Sequence, residues 1–220
     1  AGDLAPLWVP EYAAFFGDRI ALRAAGDTSP EGVVRLRDFS VDARAVDLSG
    51  GMVLGADGLP LAFDVTGRIG LDSGEAVLLP LSGAGQTRVR SVVLDVGYDR
   101  MRGEGWSGDL VVEGLERVGL TAERLALEAS GRIWRRDGAA HVGATVDFVG
   151  AGMVPGDAGV AAALGSAVSG QVILDWAQRG DGLRLPRVVL RGADYGLEGR
   201  AVVEGLETAL KVSGSAISTK

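Results

Sequence analysis

The chain has 220 residues, 35 of them glycine, no cysteine, one histidine and a formal net charge of −7. The absent cysteines exclude a disulfide framework and thiolate-held metal, and a single histidine excludes a multi-histidine site. An acidic chain without a basic run offers no face to neutralise nucleic-acid phosphates or to hold an anionic membrane surface.

Hydrophobic residues make up 47% but aromatics only 5%, so any core is built mainly from Ala, Val and Leu. The glycines carry no triplet period, which excludes a collagen helix. No run approaches the roughly 20 apolar residues that would span a bilayer as a helix.

The first stretch, "DLAPLWVPEYAAFFGD", differs from the rest. Pro10 suits the first turn of a short helix over 11–16, with Gly17 as its stop. Trp8, Tyr12, Phe15 and Phe16 concentrate aromatics here, and the segment 1–17 is expected to be a helical plug or lead-in over the open end of a sheet.

From Asp18 to Lys220 the hydrophobic period is two. Ile20, Leu22 and Ala24 share a side before a turn at "GDTSPEG". "VVRLRDFSVDARAVDL" alternates next, and "GADG" at 55–58 signals a hairpin, because Asp-Gly accepts the positive φ of a tight turn. In "LAFDVTGRIGL", Leu61, Phe63, Val65, Ile69 and Leu71 alternate with Ala62, Asp64, Thr66 and Arg68. "EAVLLPL" reads as a strand. In "VRSVVLDVGYD", Val92, Leu94, Val96 and Tyr98 oppose Val93, Asp95 and Asp99.

A strand pair follows at "WSGDLVVEGL" and "AERLALEASGRIWRRDG", with Leu125, Leu127 and Ala129 on one side and Glu128 and Ser130 on the other. Asp137-Gly138 turns the chain into "AAHVGATVDFVG", where Val142, Ala144, Val146 and Phe148 are in register. "PGDAGVAAALG" is the second helix candidate. "GQVILDWAQ", a turn at Gly180-Asp181-Gly182, "LRLPRVVLRG", "YGLEGRAVVEGL" and a final strand with Leu210 and Val212 on one side complete the chain. Pro186 marks an edge strand or a bulge.

Roughly a dozen strands separated by Gly- or Asp-bearing turns read as antiparallel meanders, since parallel units need a helical crossover between strands. "GWSGDLVVEGLERVGLTAERLALEASG" and "GLRLPRVVLRGADYGLEGRAVVEGLETALKVSG" form a loose internal repeat. The class is mainly β, with one or two short helices, and residues 18–220 are expected to form one elongated, repetitive antiparallel segment. One-sided strands have three outlets: a dry sandwich, a barrel, or a long sheet folded over an apolar channel.

Several stretches resemble the AsmA-like superfamily of Gram-negative envelope proteins, and within it the TamB-type translocation and assembly module subunits of alphaproteobacteria. They are "DLAPLWVPEYAAFFGDRIALRAAG", "LRDFSVDARAVDLSGGMVLGADGLPLAFDVTGRI", "VLDVGYDRMRGEGWSGDLVVEGL" and "LTAERLALEASGRI". The resemblance implies a folded-over β-taco or repeating β-groove in a periplasmic bridge anchored to the inner membrane. It also implies phospholipid acyl chains as cargo and support of outer-membrane protein assembly. The family's membrane helix and C-terminal domain have no counterpart here. The chain is therefore expected to be an interior segment, with contact to an outer-membrane barrel lying in parts outside it.

The candidate groove face is Leu61, Phe63, Val65, Ile69, Val92, Leu94, Val96, Leu125, Leu127, Val142, Val146, Phe148, Leu210 and Val212. No catalytic, cofactor-binding or metal-binding residue is assigned. "GEGWSG" at 103–108 fits G-x-G-x-x-G, but a strand pattern follows where a dinucleotide site needs a helix. "VDFVGAGMVPGDAGVAAALG" with Asp175 fits better, yet its first strand carries His141, Thr145 and Asp147 on alternate positions and no further βα unit follows. His141 lacks a nucleophile elbow and reads as a solvent-facing strand histidine. Asp95 and Asp99 share a polar strand face and read as solvation rather than a glycosidase pair. Trp106, Trp134 and Trp176 read as packing residues or as the rim of the groove. Two other functions remain open: a structural or adhesive module with a closed, lipid-free core, or an enzyme with a convergent polar pocket.

Overall fold

The computed structural model describes residues 10–81, 85–179, 183–203 and 211–218. In chain order the strands are β1 (Ala21–Thr28), β2 (Val34–Ala43), β3 (Val46–Leu54), β4 (Pro60–Ile69), β5 (Val77–Leu78), β6 (Thr87–Val89), β7 (Ser91–Asp99) and β8 (Gly105–Arg117). Then come β9 (Leu120–Arg136), β10 (Ala139–Ala151), β11 (Val154–Pro155), β12 (Ala167–Ala177), β13 (Leu183–Arg191), β14 (Tyr195–Val203) and β15 (Lys211–Ser218). Two short helices, α1 (Ala13–Phe16) and α2 (Ala158–Leu164), accompany them.

Twelve strands pair in the order β1-β2-β3-β4-β7-β8-β9-β10-β12-β13-β14-β15, every neighbour antiparallel. This is the mainly β antiparallel meander that the alternation predicts. β5, β6 and β11 hang off its margin. Among the described residues the two ends of the order, β1 and β15, do not pair, so the sheet is not closed.

The turns follow their residues. Asp137 (φ 52) and Gly138 (φ 71) take the two left-handed positions of a tight hairpin between β9 and β10. At 55–58 the Gly58 amide donates to the Gly55 carbonyl and the Leu59 amide to Asp57 Oδ1, closing the β3–β4 hairpin. Pro186 falls where the β13–β14 register slips between Leu185 and Val188. It occupies a bulge in an interior strand, not an edge, because the slip removes the need for its missing N–H.

Two readings are corrected. "VVRLRDFSVDARAVDL" is not one strand: it turns at Arg44-Ala45 into β2 and β3, without the Gly, Asn or Asp that usually marks such a turn. "EAVLLPL" contributes only Val77–Leu78 to a strand. Its consecutive apolar residues are drawn inward instead of alternating, and Val77 and Val89 are 1% exposed. The turn read at 180–182 lies outside the described residues.

The core gathers at one end of one face. Phe15 of α1 is buried with Ala45, Val46, Leu71, Val77, Val89, Val92 and Val112. The Phe15 carbonyl accepts from Ala45 N at 3.0 Å, the Phe16 carbonyl from Arg44 N at 3.3 Å, and the two rings meet edge to face at 4.9 Å. α1 and the β5–β6 flap thus cap the sheet there. Elsewhere on that face Tyr98, Ala140, Ala144, Val168 and Ala201 are buried, and most other residues are only partly covered. The accessible surface is 13515 Å² for 22.6 kDa, against about 9500 Å² for a compact globule of that mass.

Candidate functional site

Residues paired directly across antiparallel strands share a face of the sheet. The register therefore shows what no single strand can. Val65 of β4 lies opposite Gly50 and Val96; Val96 opposite Gly108; Gly108 opposite Ala129; Ala129 opposite Val146; and Val146 opposite Val172. This row of small residues runs crosswise to the strands.

On the capped side of that row lies a bulkier one, with Leu94 opposite Leu110, Leu110 opposite Leu127, and Leu127 opposite Phe148. On the uncapped side Met52, Phe63, Tyr98 and Trp106 follow one another. Phe63 and Tyr98 have ring centroids 5.6 Å apart. The result is a shallow apolar trough across the meander, walled by leucines on one side and aromatics on the other.

All the candidate groove residues whose side chains are described stand on this face. Val92 is buried under the cap, while Leu61, Phe63, Val65, Ile69, Leu94, Val96, Leu125, Leu127, Val142, Val146 and Phe148 are half-buried. Leu210 lies outside the described residues. Val212 takes the register position opposite Ala201, on the same side of the sheet. The face also includes residues that the reading left out, such as Leu48, Leu110, Val172 and Val188, which alternation alone could have supplied.

Exposure on this face is uneven: Tyr98 is buried, whereas Trp176 is 39% exposed and Leu22, on the edge strand, 69%. At the uncapped end Asp57 of the β3–β4 hairpin pairs with Arg135 of β9, although β7 and β8 stand between β4 and β9. Arg135 alternates with Ile133 and Gly131 and so projects from the apolar side. Reaching across two intervening strands bends the sheet toward that side. The Trp106 indole lies over Gly131, where a Cβ would come within 2.6 Å of Nε1, and that buried N–H has no acceptor among the described residues.

The opposite face is polar. One row on it is acidic across four consecutive strands, with Asp95 opposite Asp109, Asp109 opposite Glu128, and Glu128 opposite Asp147. Gln171 Nε2 donates to Asp147 Oδ1 at 2.9 Å at the end of the row. Asp99 shares this face; its carboxylate accepts from Met101 N and pairs with Arg102. Among the described residues no three His, Asp or Glu side chains converge as a metal would require.

The remaining candidates disperse. "GEGWSG" runs into β8, and the stretch around Gly150, Gly152 and Gly156 leads to α2, which is followed by an antiparallel strand. The first lacks the helix of a dinucleotide site, and the second lacks the parallel strand that should follow its helix. His141 stands on the polar face and stacks on Trp134 at 5.5 Å. Trp106 and Trp176 are on the apolar face, whereas Trp134 is not.

No helix of the described residues is long and apolar enough to cross a membrane. No family model, curated protein or solved structure matches the chain.

Proposed function

We propose that the apolar face is a lipid-carrying surface, and that the chain is a segment of a periplasmic envelope bridge of the AsmA-like, TamB type. One observation carries this reading. A single apolar face runs from β1 to β14, with most of its residues only partly covered, and a helix and flap cap it at one end alone. A contiguous apolar face left partly uncovered marks an interaction surface.

Acyl chains suit the trough. They need no hydrogen bonds, and each methylene withdrawn from water contributes about 0.8 kcal/mol. A chain of about 16 carbons, roughly 20 Å long, would lie across about four strands at their 4.8 Å spacing. The mechanism is passive: a continuous low-cost path, without chemistry. Support of outer-membrane protein assembly would fall to parts of the bridge beyond this segment.

Native mass spectrometry with lipid extraction on the purified chain tests it. Co-purifying phospholipid, displaced when the face is charged, supports the reading. A lipid-free chain that melts cooperatively and gains nothing from added phospholipid would replace it with a structural or adhesive β module.

A further inference from the structure

The polar face carries one departure from its own pattern. Trp134, the only tryptophan described there, stands beside a gap. Across β9, β10 and β12 the register places Arg132, Gly143 and Asp175 in one row and Ser130, Thr145 and Ile173 in the next. Gly143 contributes no side chain, which leaves a gap between a cation and an anion that the Trp134 ring edge partly fills.

The indole leans over that gap: a Cβ on Gly143 would sit 3.2 Å from Trp134 Cζ3 and Cη2. His141, directly opposite Trp134 in the register, is stacked on the indole with an interplanar angle of 18° and fixes its tilt. Ser130, Arg132, Trp134, Gly143, Thr145 and Asp175 line an open depression of about 440 Å³ there.

We propose that this depression, walled by Trp134 and floored by Gly143, binds a neutral pyranose ring of a glycan. The argument is one of matched chemistry. A pyranose ring offers a C–H face and an equatorial belt of hydroxyls. The C–H face packs on the electron-rich face of an indole. The hydroxyls need donors and acceptors beside it, and Arg132 supplies donors only, Asp175 acceptors only, and Ser130 and Thr145 both.

The rim is also fixed in part. Arg132 is tethered by its ion pair with Glu104, so its planar fork is oriented before a ligand arrives. Asp175 is exposed and stands opposite Arg184 of β13, and its side chain makes no hydrogen bond or ion pair among the described residues, which leaves its carboxylate for a ligand. With a cation and an anion flanking the same gap, a neutral polyhydroxylated ring suits the rim better than a charged group does. The site lies on the opposite face from the trough and does not depend on the lipid reading.

Isothermal titration of the whole chain with chitotriose and with maltotriose tests the proposal. Saturable binding of either sugar is expected. Trp134→Ala should weaken it about tenfold or more, and Trp134→Phe by only about threefold. Asp175→Ala, at an exposed position where folding is not at stake, should weaken binding by about tenfold through loss of a charged acceptor. Trp176→Ala, on the apolar face, should leave it unchanged. The site is refuted if neither sugar binds saturably up to about 10 mM. It is equally refuted if Asp175→Ala and Trp134→Phe bind as the parent does while Trp176→Ala loses binding. Binding of an arginine-rich peptide in place of both sugars would overturn it in favour of a cationic partner.

Discussion

A charge placed at Val65 separates the lipid reading from a purely structural one. Val65 is half-buried in the small-residue row between Gly50 and Val96. Full burial of an aliphatic side chain is worth about 1.5–3 kcal/mol, so Val65→Asp forfeits about 1 kcal/mol of packing. The carboxylate, without a donor nearby, adds about 1–3 kcal/mol of desolvation. Its hydration shell would also expel two or three methylenes of a bound acyl chain, about 2 kcal/mol, or a roughly thirtyfold loss of occupancy.

Thr66→Asp is the control. Thr66 is exposed on the polar face opposite Ser49 and Asp95, and a like charge there costs about 0.2–1 kcal/mol. It should leave lipid untouched. Phospholipid bound per folded chain, by native mass spectrometry beside a urea titration, is the readout. Equal lipid loss in both variants, tracking equal loss of stability, would refute the trough as the lipid surface.

The acidic row is expected to weaken the sheet. Asp109→Lys turns two repulsive cross-strand pairs into attractive ones and should raise stability by about 0.5–2 kcal/mol in urea titrations, with the gain shrinking at 1 M salt. Phe15→Ala should cost about 3–5 kcal/mol, because it empties the cap, and should increase binding of an apolar dye to the uncovered end. Burial pushes the Tyr98 hydroxyl above its ordinary value of 10.0. The folded state then holds that proton more tightly, so its contribution is intact below about pH 10 and is lost as pH rises through the folded value. Tyr98→Phe should flatten the alkaline end of a stability–pH curve, and an unchanged curve would contradict the burial.

How much of this was legible in the sequence depends on the range of the cause. Asp137-Gly138 and "GADG" announce their hairpins because the backbone they need is a property of those residues alone. The two-sided alternation of β4 and β7 is equally local, and it yields the apolar face strand by strand. The Arg44-Ala45 turn carries no such mark, and it is set by α1 docking its Phe15 and Phe16 carbonyls onto those amides. Val77 and Leu78 form only the short strand β5, because the cap draws both side chains inward. The carboxylate row and the gap at Gly143 depend on register between strands far apart in the chain. Asp95, Asp109, Glu128 and Asp147 are each unremarkable until pairing aligns them, and Trp134 gains its setting only from a glycine on the next strand.

The order of pairing also fixes how the protein answers to force. Its hydrogen bonds lie along the long axis of the meander, and each strand lies across it. Tension between β1 and β15 would therefore load the ladders one after another, peeling strands singly, while a pull along a strand would shear a whole ladder at once. A sheet built this way is stiff across its width and yields along its length. A body that must hold a fixed span under load would need its ends relieved of strain by neighbours, whereas one that needs to give without breaking at once already has the geometry for it.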